Sequence, residues 1–185
     1  MIHHIAVSSV LRRTVCDLYS NLVTRPTGAA VRTEIELLLS ELRGPSLTVI
    51  DFSHVNLLDS SCADEVVAKL LLRFPADRPV PESYFLVRGA KDVHLDAIET
   101  ALERHGLALV VEGDEGASTI IGCVDAAARA AWEAVARRGQ AGADDVAMEL
   151  GEPEDEVRAS LDALHGRRLL MRFGELYTVP VGIVQ

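Results

Sequence analysis

The sequence predicts an α/β fold built on a mixed sheet, followed by a smaller and mostly helical segment that ends in a hairpin. Three observations carry this. Apolar runs of strand length, such as Leu47 to Phe52 and Tyr84 to Val87, alternate with stretches whose apolar residues recur at helical spacing. Leu107 to Glu112 and Ser118 to Cys123 follow one another across Gly113-Asp114-Glu115-Gly116, a hairpin-type connection, so the order is not a strict βαβ array. The texture then changes at Val124, where an alanine-rich stretch begins.

Taken in order, Ile5 to Arg13 reads as a first strand and Ser20 to Arg25 as a second, short one. Pro26-Thr27-Gly28 opens a helix with Val31, Ile35, Leu38, Leu39 and Leu42 on one face, and Gly44-Pro45 ends it. Leu47 to Phe52 is apolar almost throughout, as a central strand is. From Cys62 a helix carries Val66, Val67, Leu70, Leu71 and Phe74 inward until Pro75 stops it, and Ala76 to Pro81 is a loop. Tyr84 to Val87 is a strand, and Lys91 to His105 is an amphipathic helix closed by Gly106. After Val124 come a helix ending at Gly139, a short helix from Asp144 to Leu150 and a turn at Gly151-Glu152-Pro153. Proline there suits the start of the next helix, which places Val157, Leu161 and Leu164 on one face. Leu169 to Phe173 and Leu176 to Val181 form two strands across Gly174. Helix, helix, turn, helix, hairpin is the order of a winged helix-turn-helix, so the reading is two domains, 1–122 and 123–185.

Composition narrows the function classes. Of 185 residues, 49% are apolar and 25% charged, enough for a real core with a solvated surface. With 4% aromatic residues, base-stacking platforms are not expected. A net charge of -10 disfavours nonspecific binding to nucleic acid or anionic membrane. No apolar run is long enough to span a bilayer, and the start of the chain has no signal-peptide pattern. Cys16, Cys62 and Cys123 are scattered without CxxC spacing, which points to reduced thiols in a cytoplasm rather than a disulfide or zinc framework. The six histidines show no i, i+4 pair, and no nucleophile elbow, Walker loop or dinucleotide fingerprint occurs. No catalytic residue, metal or cofactor is therefore expected.

The most informative stretch runs from Leu47 to Phe74. With Ser61 as the N-cap of the helix, Ser61-Cys62-Ala63-Asp64 fits a capping box, a structural role worth roughly 1 kcal/mol. The same residues carry a resemblance. Asp51-Phe52-Ser53-His54-Val55 followed by Leu58-Asp59-Ser60-Ser61 resembles the core motif of STAS domains, the fold of anti-sigma factor antagonists. The run from Phe52 to Leu70 is similar to a divergent STAS-like branch of largely unknown function. The resemblance covers about Ile5 to Cys123. It implies a regulatory module that binds a protein partner, a kinase-like or anti-sigma-type regulator. It also implies that the hydroxyl at the helix start, here Ser61, accepts a phosphate. Asp59, Ser60, Cys62 and Asp64 would then belong to the partner surface. The motif departs from the antagonist pattern at Cys62, where glycine is usual. It departs again at Asp64 and Glu65, whose charge opposes an added phosphate.

Two other clusters raise alternatives. Thr24-Arg25-Pro26-Thr27-Gly28 sits at a strand-to-helix junction, where free N–H groups can receive an anion. Arg25, Thr27 and Gly28 are thus candidates for binding an anion or nucleotide, in a binding protein or an unrecognised enzyme. In the winged helix, DNA contact would fall to Arg158, Arg167, Arg168 and Arg172, making the chain a transcription regulator. Against that, the third helix is acidic outside, and residues 125–185 hold seven arginines against eleven acids, a net of -4. The primary expectation is a non-enzymatic cytoplasmic regulator acting through protein contacts, with a homodimer left open.

Overall fold

In the central strands both alternating sets of side chains are apolar, which dictates a sheet covered on both faces. A computed structural model of the chain describes residues 1–15, 20–42, 44–74, 83–113 and 116–181. The elements are β1 (Ile2–Ala6), α1 (Val7–Thr14), β2 (Asn21–Leu22), α2 (Arg25–Ser40), β3 (Ser46–Asp51) and β4 (Leu57–Leu58). A continuous helical run follows, α3 (Ser60–Ala63), a π-helical turn (Asp64–Ala68) and α4 (Lys69–Arg73). Then come β5 (Ser83–Arg88), α5 (Asp92–Arg104), β6 (Ala108–Glu112) and β7 (Ser118–Gly122). The last part holds α6 (Ala126–Arg138), β8 (Gln140–Ala141), α7 (Ala143–Leu150), α8 (Glu154–Gly166), β9 (Met171–Phe173) and β10 (Leu176–Thr178).

The main sheet has the order β1-β3-β5-β6-β7, parallel except for the antiparallel β6–β7 pair. The order β1, β3, β5, β6 advances in one direction. Right-handed crossovers therefore lay α1 through α5 on a single face. That face buries Ile50, Phe85, Val87, Leu109 and Val111 against Val10, Leu11, Ile35, Val66, Leu70 and Ile98. The alternate residues, Leu47, Val49, Tyr84, Leu86, Val110 and Ile120, point the other way. No crossover helix can reach them, and the segment after Cys123 covers them with Trp132, Val135, Leu164 and Leu170. The Trp132 indole Nε1–H donates to the Leu169 carbonyl at 3.0 Å, closing that second core. The C-terminal strands form their own antiparallel sheet, ordered β8-β10-β9.

Several elements differ from expectation. The first strand lies at Ile2–Ala6, and Val7 to Thr14 is a helix, because Val7, Val10 and Leu11 bury at helical spacing beneath α2. The second strand shrinks to Asn21–Leu22, since Arg25 already opens α2. β4 and β8, two residues each, carry no periodicity that a sequence shows. The last two strands are shorter than their apolar runs. Cys16, the loop Ala76 to Pro81 and the turn residues Asp114-Glu115 lie outside the described residues.

Candidate functional site

The helix that begins at the serines is capped by Asp59, not by Ser61. Asp59 has extended backbone angles, and its Oδ1 accepts the Cys62 N–H at 2.7 Å. Ser61 sits inside the first turn, half-buried, and its Oγ donates to the same carboxylate oxygen at 2.8 Å. The capping box expected from Ser61 to Asp64 is thereby overturned. Leu58-Asp59-Ser60-Ser61 contains three consecutive residues able to cap, and the chain enters the helix at the first of them.

Asp59 also ties the helix to a distant segment, because its Oδ2 accepts the Thr24 N–H at 2.9 Å. Thr24 precedes α2 with φ 76°, a left-handed conformation unusual for threonine, and its Oγ lies 3.1 Å from that of Thr27. Two helix beginnings, Thr24–Thr27 and Asp59–Ser61, are in this way stapled by one carboxylate. Burial pushes the Asp59 carboxyl up, but hydrogen bonds from Thr24, Cys62 and Ser61 outweigh it and hold the group below the usual aspartate range.

Below the staple lies a packed charge cluster. Asp64 and Glu65 are only 6% and 3% exposed. Arg25 Nη1 donates to both, at 2.9 Å to Asp64 and 2.8 Å to Glu65. Glu65 further takes Arg32 Nε at 3.2 Å and the Lys69 ammonium, while Asp64 pairs with His105 Nε2 at 2.8 Å. For both carboxyls desolvation is the largest influence and acts upward. His105 and Arg25 on Asp64, and Lys69 and Arg25 on Glu65, reverse it and pull both below their ordinary range. The π-helical turn lets two consecutive acids serve α2 on one side and the end of α5 on the other.

This geometry relocates four of the expected site residues. Cys62 and Asp64 are interior rather than part of a partner surface: Cys62 is fully buried, and its Sγ–H donates to the Thr24 carbonyl at 3.0 Å. Burial first, and the neighbouring Asp59 charge second, push the Cys62 thiol up to about 12, so it is protonated and inert. Arg25 spends its guanidinium on Asp64 and Glu65, and Gly28 is a packing residue. A Cβ on Gly28 would stand 2.9 Å from the Cys62 Cα, which lets α2 press against α3. The anion cradle read at Arg25, Thr27 and Gly28 is therefore filled by the protein's own carboxylates. Ser60 is exposed beside Asp59, as are Ser53, His54, Asn56 and Leu57 on the preceding loop. Leu57, 55% exposed, puts an apolar side chain in the middle of that surface.

The loop itself is fixed from below. His94, fully buried, accepts the Lys91 N–H on Nδ1 at 3.2 Å, so its Nε2–H donates to the Asn56 carbonyl at 3.2 Å. The backbone turn at Gly89, with φ 66°, comes so near Ser53 that a Cβ would stand 2.2 Å from its Oγ. Neither His94 nor Gly89 carries a sequence signal for this role; both act across the fold.

The arginines considered for DNA are engaged within the protein. Arg158 bonds Glu154 at 2.5 Å and Glu175 at 3.2 Å. Arg172 bonds Asp162 at 3.1 Å and the Gly174 carbonyl at 2.8 Å. Arg167 donates to the Cys123 carbonyl at 2.7 Å, and Arg168 stacks over the Tyr84 ring at 5.7 Å. Among the described residues no group of three His, Cys, Asp or Glu side chains is placed to hold a metal ion. Among them also, no helix is long and apolar enough to cross a membrane. No protein-family model matches the chain, and no curated protein is significantly similar to it.

Proposed function

We propose that the protein is a non-enzymatic regulator whose N-terminal part is STAS-like and binds a protein partner through the surface around Ser61. The C-terminal part is read as a winged helix, on its three helices and the β8-β10-β9 sheet. The observation that carries the proposal is the staple. One exposed segment around Leu57, held by the β2–β4 pair and by His94, is tied to the start of α2 by Asp59, and among the described residues the only hydroxyl bonded to that carboxylate is Ser61. Such a surface offers a partner apolar area in a fixed frame, and it offers a kinase a half-buried serine at a helix start.

A phosphate on Ser61 acts here as a wedge. It removes the hydroxyl donor to Asp59 and sets two to three negative charges within a few ångströms. Asp59 then gives up the Thr24 N–H, and the loop loses its side-chain tie to the start of α2, keeping the β2–β4 pair and the His94 support. Phosphorylation therefore weakens partner binding by releasing the surface. The partner class that fits is a kinase-like or anti-sigma-type regulator, and the setting that fits is a cytoplasm. The test is phosphosite mapping of the protein from its native lysate, with partner recovery by parent, Ser61→Ala and Ser61→Asp chains. Retention by Ser61→Ala and loss by Ser61→Asp support the reading. Equal recovery by all three, with Ser61 never modified, removes it. A DNA-binding regulator is the less supported reading, since the candidate arginines already hold acids or carbonyls and α8 opens with Glu154, Asp155 and Glu156.

A further inference from the structure

On the other side of the sheet from Ser61, α6 and the turn between α7 and α8 enclose an open groove of about 410 Å3. Its floor is apolar and low, formed by Ala127, Ala130, Leu150 and Val157, and Glu152 and Glu156 stand on its rim. The charges around it are unevenly matched. Arg137 and Arg138 hold Glu149, Arg158 holds Glu154 and Glu175, and Arg172 holds Asp162 and Glu175. Glu152 and Glu156 are exposed, and neither pairs with a cation among the described residues. The groove thus combines a floor that small side chains leave accessible with two uncompensated negative charges at its edge.

We infer that this groove receives a basic amphipathic segment of a partner protein. Apolar side chains of that segment lie over Ala127 and Ala130, and a lysine or arginine meets Glu152 and Glu156. Charge selects this occupant. Nucleic acid would bring phosphates against the rim. A second copy would bring a chain of net charge -10, whose C-terminal arginines are largely spent on their own acids. The inference does not rest on the Ser61 reading, because the two surfaces lie on opposite faces of the sheet and each can fail alone.

The test is a selection of short random peptides displayed on phage against the full chain. Counter-selection uses Ala127→Trp, which fills the groove from an exposed position, with a far-UV melt to establish that the variant is folded. The expected winners place lysine or arginine beside two or three apolar residues. A fluorescein-labelled winner, followed by anisotropy, should bind more weakly by at least about tenfold to Glu152→Lys/Glu156→Lys, and more weakly as salt is raised. The inference is overturned if no peptide is enriched, or if winners show no basic excess. It is equally overturned if binding survives both variants, if a labelled DNA duplex binds the groove instead, or if sedimentation shows a dimer that Ala127→Trp dissolves.

Discussion

Replacing Glu65 by alanine probes the charge cluster under the staple. The carboxylate is buried, with a side chain only 4% exposed, and it receives Arg25, Arg32 and Lys69. Removing one partner of a buried ion pair typically costs about 3–5 kcal/mol, because the charge left behind has lost its compensation. Here the loss is shared. Arg25 and Lys69 are 51% and 36% exposed and can turn to water or to Asp64, while Arg32, at 17%, keeps Glu36. The expected cost therefore sits at the low end, about 3 kcal/mol. For a chain of this length that lowers the melting temperature by about 6–12 °C. The assay is urea unfolding followed by Trp132 fluorescence and far-UV signal together. Glu154→Ala, which breaks an exposed pair on α8, is the control and should cost under about 1 kcal/mol. A Glu65→Ala chain as stable as that control would mean that the cluster is a solvated surface network and not a buried one.

Three further outcomes follow from the same contacts. Asp59, Asp64 and Glu65 are all held below their ordinary values of 3.8, 3.8 and 4.5, so they stabilise the fold fully above those values. Stability should fall as pH drops through 4.5 and below 3.8, and Asp64→Asn should flatten that fall in acid-unfolding curves; an unchanged curve would contradict the assignment. N-ethylmaleimide at mildly alkaline pH should modify exposed Cys123 and spare Cys62, as read by peptide mass mapping of the native protein; rapid labelling of Cys62 would show it is not buried as described. Because the sheet and the C-terminal helices share one core, Trp132 fluorescence and far-UV melting should coincide in a single transition, and two separated transitions would mean the two parts unfold independently.

Much of the fold was legible because it rests on periodicity. The two-sided apolar strands β3 and β5, the helix α5 and the β6–β7 hairpin all lie where their patterns put them. The first strand failed for a reason that is not local. Val7, Val10 and Leu11 fit a helix as well as a strand, and only packing under α2 decides between them. The site was legible in part. The serines mark the helix start in sequence, with Ser61 read as the cap, but the cap is Asp59, whose other oxygen holds the Thr24 N–H thirty-five positions away. Likewise Asp64 and Glu65 read as surface charge at a helix start. Their partners come from α2, α4 and the end of α5, and no spacing along the chain reveals that convergence.

The proposed switch is a negative charge on Ser61 that unfastens the Asp59 staple and with it the partner surface. Its most direct measurement is the occupancy of phosphate on Ser61, by mass spectrometry, in partner-bound and partner-free pools of the protein separated from one native lysate. Phosphate is expected on Ser61 in the free pool and nearly absent from the bound pool. Equal occupancy in both pools, or phosphate concentrated in the bound pool, would contradict it.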